Sequence, residues 1–128
     1  GATSSMYTVA GGRILLVQFF LEVTTVCSAA AETLRLTHTP STGTLSNLSA
    51  ASASIASKAV GTIFSITGLE TDALFLGTGE GGASVMLRPQ ILRPGTLGLL
   101  GAAASNTGAV KAYASYLPLD DGAELVAA

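Results

Sequence analysis

A chain of 128 residues can bury one modest core, and only 11% of these residues are charged, against about 25% in an ordinary soluble domain. The net charge is −2 and the six cations (Arg13, Arg35, Lys58, Arg88, Arg93, Lys111) are scattered, which excludes the concentrated basic face that nucleic-acid backbones require. A single cysteine, Cys27, excludes an intrachain disulfide and a cysteine-based zinc cluster. With so little charge, solubility rests on Ser, Thr and Gly, so much of the surface is expected to be covered by other subunits or another protein.

The first dozen residues, GATSSMYTVAGG, read as an extended N-terminal segment. The run that follows, RILLVQFFLEVTTVC, alternates with period two. Leu15, Val17, Phe19, Leu21, Val23, Thr25 and Cys27 form a nearly apolar face, and Ile14, Leu16, Gln18, Phe20, Glu22, Thr24 and Val26 a mixed one. This predicts a long strand with its odd face in the core and Cys27 as a buried thiol. A helix, with Gln18 and Glu22 on one face, is the alternative. The run mimics a signal peptide ahead of Ser28-Ala29-Ala30-Ala31, yet Gln18 and Glu22 interrupt it and it falls short of the ~20 residues a membrane span needs, so no membrane association is expected.

ETLRLTH predicts a strand with Leu34 and Leu36 inward, closed by Pro40. The Ser/Ala-rich segment 42–58 reads as a long loop or a short helical turn anchored by Leu45, Leu48 and Ile55. TIFSIT and DALFL are short strands. Gly77, Gly79 and Gly82 then fall at the G-x-G-x-x-G spacing of a dinucleotide turn. That motif must open a helix and be followed about 20 residues on by an acid. Here it opens ASVMLRPQILRP, and the later stretch is LGAAAS, so a hairpin connection is expected and no cofactor.

The pairs Arg88-Pro89 and Arg93-Pro94 mark an edge strand, a bulge or a break, because proline has no amide to donate. TLGLLGAAAS and GAVKAYASYLPL are the last long strands, Asp120-Asp121-Gly122 a turn, and AELVAA an apolar tail that either frays or lies on a neighbouring subunit. Seven or eight strands with frequent turn signals predict an all-β antiparallel sandwich, jelly-roll-like, as a single domain over residues 1–128.

No cluster announces catalysis. His38 is the only histidine, at a strand end where solvation is expected, and no G-x-S-x-G elbow accompanies it. A small hydrolase built on His38 is therefore the poorest reading. Asp120 and Asp121 with Glu124 lack the alternating pattern of a calcium loop, and Glu70 and Asp72 are too isolated to pair as acid and base. Asn47-Leu48-Ser49 is a glycosylation triplet by form alone. No metal site is expected.

Residues 61–128, through GTIFSITGL, GTGEGGASVMLRPQILRPGTL and the close AVKAYASYLPLDDGAELVAA, resemble small β-sandwich structural proteins of tailed bacteriophages, of the capsid cement (decoration) or fibre type. The resemblance implies a non-enzymatic virion protein on the capsid surface, a homotrimer that clamps adjoining major capsid proteins. Contacts are expected from Arg88, Gln90 and Arg93 on the stiff Arg-Pro segment and from Leu117, Leu119, Leu125 and Val126 near the C-terminus. The alternative is a fibre or receptor-binding module for cell-surface carbohydrate, for which Tyr7, Tyr113 and Tyr116 are the available tyrosines.

Overall fold

A computed structural model describes residues 3–102 and 106–128. The described chain is all strand, turn and loop, without a helix, and forms an antiparallel β-sandwich of two sheets. Among the described residues there are ten strands: β1 (Thr3–Ala10), β2 (Ile14–Thr25), β3 (Leu34–Pro40), β4 (Ser46–Asn47), β5 (Ile63–Ser65), β6 (Phe75–Leu76), β7 (Gln90–Leu92), β8 (Gly95–Gly101), β9 (Ala109–Pro118) and β10 (Glu124–Ala127). The first sheet has the order β10-β1-β8-β3-β4. The second is organised on β2, with β9 along one edge and β5 and β7 sharing the other, β6 lying outside β5. The extended N-terminal segment supplies β1 of the first sheet. The apolar tail, expected to fray or to lie on a neighbouring subunit, is instead β10, paired with β1 of its own chain from Tyr7↔Ala127 to Ala10↔Glu124.

The long strand β2 exists, but one residue changes its phase. Pairing with β9 slips between Leu16 and Gln18, leaving Val17 as a bulge. Before it the inward side chains are Ile14 and Leu16, and after it Phe19, Leu21 and Val23, all buried. The expectation that Leu15 and Val17 point into the core is therefore wrong, because a bulge inserts one residue and flips the alternation. Leu15 is turned to the outer face instead. Cys27 is buried as expected, whereas Thr25 is exposed.

The core between the sheets is built on Phe19, Phe64, Leu36, Leu97, Ile66, Leu74 and Leu92 with the inward side chains of β2. The segment 48–58 is a loop without helix, held by Leu48 and Ile55, both buried; Leu45, the third expected anchor, is exposed. Serine hydroxyls complete the hydrogen bonding there: Ser49 and Ser52 accept from the backbone N–H groups of Leu36 and Leu34, at 3.0 and 2.9 Å. Buried backbone donors are costly to leave unpaired, so these serines stand in for a missing strand partner.

Candidate interaction face

The outer face of the β2 sheet carries a group of exposed apolar side chains. Leu15 is opposed by Ile91 on β7 and by Leu117 on β9, so the three side chains form one row across three strands. Ile91 is 66% exposed and Leu117 56%. Leu87, 82% exposed, precedes β7, and Leu119, whose backbone N–H donates to the Arg13 carbonyl at 2.9 Å, follows β9. Arg88 and Arg93, both exposed, bracket β7, which has only three residues because prolines stand at 89 and 94. Pairing with β2 alone makes β7 an edge strand, as its prolines require.

The Arg-Pro segment and the end of β9, distant in sequence, thus meet across β2. Not every residue expected at a contact lies in this row. The Gln90 amide is turned inward and donates to the carbonyls of Leu48 and Gly68, at 3.2 and 3.1 Å, which ties the two sheets together. Leu125 packs against the core of its own chain, and Val126 is exposed on β10, in the other sheet. Ile91 and Leu15 stand in the row without being among the residues expected there. The alternation Gln90-Ile91-Leu92 would have shown Ile91 outward, whereas Leu15 was hidden by the bulge.

Further along the same face, the rings of Phe20 and Tyr113 stack at 4.8 Å and 16°. The Lys111 ammonium lies 5.3 Å from the Tyr113 centroid, a cation–π arrangement. Beyond the row, Arg13 and Asp120 form an exposed pair. The carboxylate accepts from the Arg13 backbone N–H at 2.7 Å and from Nε and Nη2 at 3.0 Å. The Arg13 guanidinium and backbone hold the Asp120 carboxyl down at about 2, so Asp120 stays a turn-locking anion. No group of three or more His, Cys, Asp or Glu side chains fit to hold a metal occurs among the described residues.

His38 is not solvated. It continues the inward face of β3 after Leu34 and Leu36 and is 5% exposed, with neither ring nitrogen in hydrogen-bonding geometry to a partner among the described residues. Burial pushes its pKa down, backbone groups of Arg93 and Thr96 partly oppose this, and the Arg93 charge adds to the lowering. Among the described residues no hydroxyl or carboxylate is hydrogen-bonded to the ring.

The glycine loop at 77–82 leads into irregular chain as far as Pro89 and then β7, so the helix a dinucleotide turn needs does not follow it. Gly68 is the glycine that matters here. It adopts φ +94, and a Cβ on it would strike the Arg88 carbonyl, so only glycine lets the Arg-Pro segment lie this close.

A second feature is a cleft of about 600 Å³ at the end of the sandwich where β9 begins, lined mainly by apolar groups that include Met6, Leu99 and Val110. Cys27 also lines it, and burial pushes its thiol pKa up. Asn106 braces the rim, donating to the carbonyls of Ser28 and Ala30 and accepting from the N–H groups of Ser28 and Gly108. Compared with known proteins, the chain matches no family model, no curated protein and no solved structure.

Proposed function

We propose that this chain is a non-enzymatic structural protein of a bacteriophage virion, a jelly-roll-like decoration protein that binds the major capsid protein as a trimer and stabilises the head shell. The observation that carries the reading is the Ile91–Leu15–Leu117 row, an uncharged apolar strip across three strands with Arg88 and Arg93 beside it. Such a strip on a chain with 11% charged residues is suited to burial against another protein. Each 100 Å² of apolar surface covered is worth about 2.5 kcal/mol before ordering costs, and several copies in one assembly add avidity.

The test is light scattering followed by co-sedimentation with undecorated phage heads. A trimer that pellets with heads supports the reading, and the double substitution Ile91→Asp, Leu117→Asp is expected to abolish pelleting while leaving the circular dichroism unchanged. A monomer that ignores heads overturns it. The stacked Phe20–Tyr113 pair on the same face favours a second reading, a fibre module that binds cell-surface carbohydrate on an aromatic platform. Glycan-array binding lost in Tyr113→Ala would select that reading.

A further inference from the structure

The two sheets differ in width. Because β5 and β7 share one edge of β2, the second sheet is four strand positions across where the first has five. The Tyr7 hydroxyl on β1 donates to the Ala112 carbonyl on β9 at 3.0 Å, which sets β9 over β1 and leaves β10 with no strand opposite it. The position beside β9 and over β10 is vacant among the described residues.

The backbone of β9 is turned toward that vacancy. Val23 donates to the Thr62 carbonyl and accepts from the Gly61 N–H, so its backbone points away from β9; Leu21, two residues back and paired with Phe64, points the same way. Their β9 partners Val110 and Ala112 are therefore non-hydrogen-bonded pairs, and the alternation of an antiparallel ladder directs the N–H and C=O groups of Val110, Ala112 and Ala114 outward. Tyr7 occupies one of these carbonyls. The edge runs for ten residues with a single charge, Lys111, and a proline only at its last position, so it lacks the devices that usually blunt an exposed edge. The apolar cleft opens along its first half, with Ala127 of β10 on the far side.

We propose that this edge is a strand-acceptor site, which takes an extended segment of a partner polypeptide as a fifth strand position. The segment is apolar at alternate positions, to fill the cleft and cover β10, and carries an acidic residue on its outward face to complement Lys111. A strand donated alone fits better than a second copy of the chain. Two-fold pairing of β9 with its equivalent would drive each overhanging β10 into the space of the partner's β1. The site is separate from the outer apolar row and does not depend on a virion role.

The test is amide hydrogen exchange on the full chain, with a blocked peptide of about ten residues, alternating valine and threonine with one central glutamate, as probe. In the free protein the amides of Val110, Ala112 and Ala114 exchange fast while those of Lys111 and Tyr113 are slow. Peptide slows the first three by about tenfold or more. Lys111→Gln weakens binding by about two- to fivefold, the scale of one cross-strand charge pair. Protection of the three amides without peptide, no effect of peptide up to about 1 mM, or equal binding of a peptide N-methylated at alternate amides would each overturn the proposal. An unchanged affinity in Lys111→Gln would remove the acidic residue from it.

Discussion

His38 makes the folded chain sensitive to acid in a direction its burial dictates. The ring is held neutral because its pKa is lowered in the folded state, whereas in the unfolded chain it titrates near the ordinary 6.5. The unfolded chain therefore binds the proton first. Stability is complete above 6.5, falls as the pH drops below it, and levels off only below the depressed folded value. Neutral imidazole still carries one N–H, and here that donor is buried without a hydrogen-bond partner among the described residues. Leaving such a group unmade costs about 1–3 kcal/mol, and the backbone groups of Arg93 and Thr96 nearby place this case at the lower end. Substituting His38→Leu, of similar size, is expected to stabilise the fold by about 1 kcal/mol at neutral pH and to flatten the decline between about pH 7 and about pH 5. Urea denaturation of both proteins across that range measures the two effects together. Parallel losses of stability in wild type and variant, or a variant less stable at neutral pH, would refute the argument.

Phe19→Ala, in the centre of the core, is expected to cost about 3–5 kcal/mol in the same denaturation assay, with the slope unchanged. Gly95→Ala is expected to cost about 2–5 kcal/mol, because the glycine is buried at φ +155 and a Cβ there meets the Thr39 carbonyl and the Pro40 Cα. A loss under 1 kcal/mol, about the cost of an ordinary surface change, would mean that the β3–β8 end relaxes freely. The Asp120 carboxyl is expected to titrate at about 2 by NMR and to move toward 3.8 in Arg13→Met. Its contribution to stability, present above the ordinary value, fades as the pH falls through the folded one.

What was legible in the sequence was periodicity. Strand β3, with Leu34 and Leu36 inward, and the sandwich architecture follow from alternation and turn spacing, both local signals. What was not legible depended on pairing. The bulge at Val17 shows only where β2 meets β9, and it reversed the orientation of Leu15. Met6 is likewise skipped where β1 meets β8. His38 reads as a strand end because Pro40 follows closely, yet it is paired on both sides within the first sheet and its side chain lies on the buried inward face. The outer apolar row joins residues 15, 91 and 117, and no local window spans those three.

Strand β2 has a consequence for how the chain is made. It is the most apolar stretch and is complete by Thr25, but its longest partner, β9, ends at Pro118. At about 5–20 residues per second, a ribosome needs roughly five to twenty seconds to add the intervening ninety or so residues. Throughout that interval β2 lacks its full-length neighbour, so overproduction is expected to load holdase chaperones, and slower translation to lower the soluble yield.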